Sequence, residues 1–245
     1  MNIADRITTW LCERLTAAGL DGFVCGLSGG VDSAASAALA VRAVGPERVL
    51  AALMPCHSQP EDAALGQLVA DTFSIPVVTV NLSGAYGALA AQFPPDLQSD
   101  GLASANVKPR LRMTVLYYLA QSHSYMVLGS GNRTELEVGY FTKYGDGGVD
   151  LLPLGDLYKT QVWELARELG VPQEVVERAP SAGLWPGQTD EGEMGITYCE
   201  LDQVLIAIEK GNTSDIEPAA LEKVQEMMAH SAHKRAMPPV FRVDG

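Results

Sequence analysis

Six consecutive residues, Ser28-Gly29-Gly30-Val31-Asp32-Ser33, carry the first chemistry of this chain. They follow a short apolar run, Phe23 to Leu27, and lead into an Ala-rich segment that opens at Asp32. Strand, tight turn and helix start in that order aim several backbone N–H groups and a helix N-terminus at an anion. The paired glycines let the main chain approach a phosphate and take positive φ without strain. Ser28 and Ser33 add hydroxyl donors. Asp32 would repel a phosphate unless a divalent cation stood between them. The loop therefore points to a nucleotide bound with Mg²⁺, which takes one or two carboxylates beside phosphate oxygens and water. No Lys precedes Ser33, so this is not the G-x-x-x-x-G-K-[ST] loop of common NTPases, nor is it the G-x-G-x-x-G fingerprint. A glycine turn with an Asp cap is the plainer alternative.

Further candidates lie downstream. Arg110 and Arg112 fall in the expected first turn of a helix over 106–123, where cations oppose the helix dipole unless an anion is bound. A pair of surface arginines is the alternative. Thr142 to Asp150, T-K-Y-G-D-G-G-V-D, is a polar glycine-rich loop with one Lys and two acids, the kind that carries function on a rigid scaffold. Asp156 reads as a helix N-cap, which places Lys159 at N3, where Glu or Gln is preferred. Lys159 is thus either a second misplaced cation or a snorkelling surface lysine. Residues 180–192, P-S-A-G-L-W-P-G-Q-T-D-E-G, are expected to stay irregular and to act as a lid or binding loop. His233-Lys234-Arg235 is a solvated basic end or a phosphate contact.

The elements that must position these residues follow from periodicity. Ile3, Ile7, Trp10, Leu11 and Leu15 share one face of a helix over 3–18 that Gly19 ends. Strands are expected at 23–27, 49–54, 77–81 and 125–128, with helices at 32–43 and 60–71 between them. Residues 93–105 read as a loop or connection. The 106–123 helix is apolar on most of its surface and is expected to be buried. Glu135 sits on a short helix after the fourth strand, and two more helices follow at 197–210 and 218–230. Alternation of this kind predicts an α/β fold: a doubly wound parallel sheet of about five strands with helices on both faces. Ligands in such sheets bind beyond the C-terminal strand ends, where the Ser28 loop leaves the first strand.

Composition narrows the function class. The 245 residues suffice for one large domain, 1–245, with no second boundary or repeat. A net charge of −13 argues against nucleic acid or an anionic membrane as partner. No apolar run approaches the length of a membrane span. Cys12, Cys25, Cys56 and Cys199 form no C-x-x-C pair, so a cytoplasmic protein without structural disulfides or zinc is expected.

Six segments together resemble the ammonia-dependent NAD⁺ synthetase family, within the ATP pyrophosphatases of adenine nucleotide alpha hydrolase-like fold. They are G-L-S-G-G-V-D-S-A at 26–34, N-V-K-P-R-L-R-M at 106–113, G-Y-F-T-K-Y-G-D-G-G at 139–148, P-L-G-D-L-Y-K-T-Q-V at 153–162, P-S-A-G-L-W-P-G-Q-T-D-E at 180–191 and H-K-R at 233–235. The first alone specifies only the superfamily; the third and fifth are far more specific. The resemblance implies ATP-dependent amidation of deamido-NAD⁺ with ammonia through an acyl-adenylate, releasing AMP and pyrophosphate. It implies that Gly26, Leu27, Ser28, Gly29, Gly30, Val31, Asp32 and Ser33 cradle ATP with Ser130, Lys159 and Ser181. Asp32 and Glu135 would hold Mg²⁺, Asp32 and Lys159 would serve catalysis, and Arg110, Lys143, Asp150, His233 and Lys234 would recognise deamido-NAD⁺. A homodimer with the dinucleotide site at its interface is implied as well, and no glutaminase domain is expected within the chain. Two rivals remain: another ATP pyrophosphatase with a different acceptor, and a non-catalytic nucleotide sensor.

Overall fold

The structure is a computed structural model that describes residues 2–94, 96, 101–183, 185 and 187–243. Parts of the 93–105 connection and of the 180–192 loop therefore lie outside the described residues. Four apolar strands, β1 (Gly22–Gly26), β2 (Val49–Leu53), β3 (Val77–Thr79) and β4 (Tyr125–Val127), pair in the order β3-β2-β1-β4, all parallel. Phe23 faces Val49 on one side and Met126 on the other. The chain runs outward from β1 through β2 to β3, then returns to add β4 at the other flank. The strand order thus reverses between β1 and β4, and the crevice beyond their C-terminal ends is the expected ligand position.

Alternation along β1 sorts the two faces. Phe23, Cys25 and Leu27 join a core built with α1 (Ile3–Ala18), α2 (Val31–Val44), α3 (Pro60–Thr72) and two later helices, α8 (Lys159–Glu168) and α9 (Gln173–Val176). Val24 points the other way, to Val127 and to Ala120 of the 107–123 helix. Consecutive strand residues face opposite sides, so apolar residues at every position demand cover on both. The second face is covered by α4 (Ser83–Ala90) and, after the short α5 (Leu102–Ala105), by α6 (Val107–His123). A separate apolar cluster joins α7 (Arg133–Val138), α10 (Asp190–Met194), α11 (Tyr198–Glu209) and α12 (Pro218–Ser231) beside the sheet.

The doubly wound expectation holds, with corrections. Four strands are described rather than about five. Leu151 makes only an isolated parallel bridge to Leu128, and Pro153, two residues on, has no N–H with which to extend it. The α6 helix is half-buried rather than buried: Leu116, Leu119 and Ala120 meet the sheet side, while Tyr118 is 71% exposed. Its nearly all-round apolar surface covers more than one sheet face needs. Arg110 and Arg112 are the fourth and sixth residues of α6, beyond its first turn, and α5 runs almost directly into it. The 180–192 stretch is not irregular throughout, because Thr189 caps α10 from its hydroxyl. Asp156 does not cap α8. It is the exposed member of a turn at 154–157 whose Leu154 and Leu157 are buried, Tyr158 is the N-cap, and Lys159 is the first helical residue. Gln161, now at N3, accepts from the Tyr158 N–H at 2.9 Å, which supplies the reciprocal capping contact that register calls for.

Candidate active site

The loop leaving β1 is held by its own hydroxyls. Ser33 Oγ accepts from the Ser28 N–H at 3.3 Å and donates to the Gly30 carbonyl at 2.9 Å, and Gly30 N–H donates to Ser28 Oγ. Gly29 has φ +80°, and a Cβ there would stand 2.7 Å from the Asp62 carbonyl oxygen, so both conformation and space demand glycine. Gly30 is the N-cap of α2 and offers no side-chain cap. The first-turn N–H groups of this 14-residue helix therefore have no side-chain cap.

Three charged residues from three elements meet at that helix start. Asp32 comes from the first turn of α2, Glu135 from N3 of α7, and Lys159 from the start of α8. Lys159 Nζ ion-pairs with Asp32 Oδ2 and lies 3.9 Å from Glu135 Oε1. Its side chain is 2% exposed and its ammonium sits 4.9 Å from the Tyr198 ring centroid. Burial works against the ammonium, but Asp32 and Glu135 outweigh it and hold its pKa above the ordinary lysine value. Burial, and then the charge of Asp32, push Glu135 above the usual carboxyl range. The crowding of two carboxylates on one side chain is a charge problem that a further cation relieves. The surface-lysine alternative for Lys159 is thereby ruled out.

Positioning is done by residues that sequence reading passed over. Asn132 Nδ2 donates to Asp32 Oδ1 at 2.9 Å, and Asn132 forms a capping box with Glu135. The N-x-x-E spacing of 132–135 was the available signal. Asp202 of α11 accepts from Thr134 Oγ1, from Thr160 N–H at 2.9 Å and from Thr160 Oγ1 at 2.8 Å. Thr134 Oγ1 in turn accepts from the Lys159 N–H at 2.9 Å, so a buried acid stitches α7, α8 and α11 together. Tyr198 OH reaches Asp190 at 3.0 Å and Glu135 at 3.4 Å. Asp190 also accepts from Ala182 N–H at 2.9 Å, linking the 180–189 loop to the charged centre. Ser181 Oγ donates to the Gln188 carbonyl at 2.8 Å, inside that loop. Ser130 lies in the irregular segment between β4 and α7, two residues before Asn132.

The expected dinucleotide residues gather elsewhere. Lys143 Nζ donates to the His233 carbonyl at 2.5 Å, and Lys234 Nζ donates to the carbonyls of Gly139 and Phe141 at 2.7 and 3.0 Å. Arg110 Nη2 reaches the Lys143 carbonyl at 3.4 Å. Arg110, Lys143, His233 and Lys234 are thus brought together by a loop and a tail that clamp one another. Asp150 stands apart: it accepts from Tyr117 OH at 3.0 Å and from Val127 N–H at 2.8 Å. Arg112 belongs to neither group, since it donates to the Met54 carbonyl and Ser58 Oγ, both at 3.2 Å. Among the described residues no cluster of three or more His, Cys, Asp or Glu forms a metal site, and no helix is long and apolar enough to cross a membrane. All four cysteines are unpaired.

Sheet order, phosphate loop and the acid–lysine–acid centre define a nucleotide-binding α/β protein of the ATP pyrophosphatase class. The sequence profile of the NAD synthase family matches residues 3–238, and the chain belongs to that family. It is 48% identical to the NH(3)-dependent NAD(+) synthetase of Carboxydothermus hydrogenoformans, over 96% of this chain and 95% of that protein. Among solved structures it is similar to the NMN synthetase of Francisella tularensis, with TM-score 0.88, 38% identity and 98% of both chains covered. It is also similar to the NH3-dependent NAD synthetase of Campylobacter jejuni in complex with the nitrate ion, with TM-score 0.85, 25% identity, and 99% and 100% covered.

Proposed function

We propose that this protein is a carbon–nitrogen ligase that amidates deamido-NAD⁺ with ammonia at the expense of ATP. One observation carries the reading: Asp32, Glu135 and buried Lys159 converge at the open N-terminus of α2, where a triphosphate docks. A carboxylate is a poor electrophile. Its oxygen attacks the α-phosphorus of ATP and pyrophosphate leaves. Ammonia then attacks the acyl carbon, AMP leaves with the original oxygen, and the added nitrogen gives up a proton. The chemistry needs charge neutralisation and alignment more than a nucleophilic side chain.

In this reading Gly26 to Ser33, Ser130, Lys159 and Ser181 bind ATP. Arg110, Lys143, Asp150, His233 and Lys234 recognise the dinucleotide. Asp32 and Glu135 suit Mg²⁺, because two carboxylates beside phosphate oxygens are the donor set that ion takes from a nucleotide site. Bound there, Mg²⁺ would supply neutralisation of the polyphosphate. A homodimer is supported by the exposed apolar side chains of α4 to α6: Leu89, Leu102, Tyr117 and Tyr118.

The test mixes purified protein with ATP, Mg²⁺, ammonium and deamido-NAD⁺, and follows AMP and NAD⁺. A parallel reaction supplies the mononucleotide acid, because a solved structure similar to this chain is that of an NMN synthetase. Faster turnover of the mononucleotide would replace the acceptor and keep the chemistry. ATP binding without AMP formation on either acceptor would leave the sensor reading.

A further inference from the structure

The triphosphate tail carries about four negative charges at neutral pH, and the acids beside the loop add to them. Lys159 pairs with Asp32 in the first turn of α2. Arg178 stands beside Gly29, at the crest of the loop. It follows α9 by two residues and precedes Ser181 by three, at the root of the 180–189 loop. Its Nη2 donates to Asp62 Oδ1 at 2.5 Å, and its Nη1 lies 3.1 Å from where a Cβ on Gly29 would stand. Among the described residues Asp62 is its sole hydrogen-bond and ion-pair partner. Asp62 is itself fixed, at N3 of α3, where Oδ2 accepts from the Gln59 N–H at 3.1 Å. One edge of the guanidinium is thus anchored, and another is turned to the crest of the phosphate loop. The planar fork of arginine binds two oxygens at once, which suits a terminal phosphate better than a point charge does.

We propose that Arg178 is a phosphate-contacting residue that receives the pyrophosphate half of ATP and holds it as the leaving group. The assignment rests on the proposed function. Asp62 holds the guanidinium beside Gly29, and its carboxylate competes with the anion for the positive charge.

The experiment measures Mg²⁺–pyrophosphate and Mg²⁺–ATP binding by titration calorimetry, for wild type, Arg178→Gln, Arg178→Lys and Asp62→Asn. Arg178→Gln should weaken pyrophosphate binding about ten- to a hundred-fold, the worth of one charge-assisted contact. Arg178→Lys should recover part of it, and Asp62→Asn, which frees the guanidinium, should bind pyrophosphate at least as tightly as wild type. Deamido-NAD⁺ affinity should move less than about two-fold in all three. Arg178→Gln matching wild type in pyrophosphate binding overturns this assignment alone. Wild type binding neither ligand overturns the phosphate-loop reading and takes this assignment with it.

Discussion

The two charged regions of the molecule use their cations differently. At the end of β1, Lys159 meets carboxylates; Glu135 and Lys159 sit on helices with capped starts, and Asp32 on α2, which starts uncapped at Gly30. At the other region Lys143 and Lys234 meet backbone carbonyls, each on the other's segment. Carbonyl dipoles hold a loop but do not cancel a charge, whereas a carboxylate does both. The first region is therefore held by paired charges in a fixed geometry. The second is a mutual latch between the 139–146 loop and the 233–236 tail, built on carbonyl contacts. Gly139 makes the latch possible. It ends α7 at φ +69°, and a Cβ there would lie 2.0 Å from Ser231 Cβ, so α12 and the tail can come close.

The sharpest way to break this contrast is to remove a carboxylate from the first region. Asp32→Ala and Glu135→Ala should each abolish AMP formation while circular dichroism stays native; near-normal turnover in both would end their proposed metal role. Lys159→Ala comes next. It leaves two carboxylates facing each other without their cation, so the pair should cost about 3–5 kcal/mol in unfolding free energy. Activity should fall at least about a hundred-fold. A variant that gains stability and keeps its rate would show the buried cation to be a burden unrelated to turnover.

The latch predicts a smaller and more selective effect. Lys234→Ala releases two carbonyls of the loop and should raise the KM for the dinucleotide about ten-fold, ~1.4 kcal/mol, with the KM for ATP unchanged. Lys143→Ala should do similar damage. Because each lysine holds the other's segment, the double variant should cost less than the two single losses added together. Additive losses, or a matching rise in the ATP KM, would dissolve the distinction between the regions.

How much of this was legible in the sequence depends on range. The phosphate loop, its helix and the four strands are set by local patterns: glycines at a turn and apolar runs of strand length. Asp32 and Glu135 could be singled out, yet the pair they form with Lys159 spans 127 residues along the chain for Asp32. No periodicity encodes such a contact. Asp202 and Tyr198 stayed invisible for the same reason, since an acid and a tyrosine on amphipathic α11 read as surface decoration until packing turns them inward. The latch was hidden by chemistry rather than distance: a basic tail looks solvated unless the carbonyls it reaches are known. The apolar surface of α6 was read correctly and its burial was not, because periodicity cannot say whether sheet, solvent or a second subunit lies opposite.

The least dramatic prediction tests the step on which the register of α8 depends. Sequence alone favours Asp156 as cap, with Lys159 a turn inside; the structure starts the helix at Lys159 and caps it through Gln161. Lys159 is helical in either case and keeps its angle to Val162 and Leu165 on the buried face; what differs is whether residues 157 and 158 join the helix ahead of it. Asp156 is 99% exposed and 3.6 Å from Arg133, and Asp156→Ala should leave Tm unchanged within error. Gln161→Ala should cost about 1 kcal/mol through the lost capping contact, roughly 2–4 °C in a chain of this length. The reverse result, a clear loss at Asp156 and silence at Gln161, would start the helix two residues earlier and return Lys159 to N3.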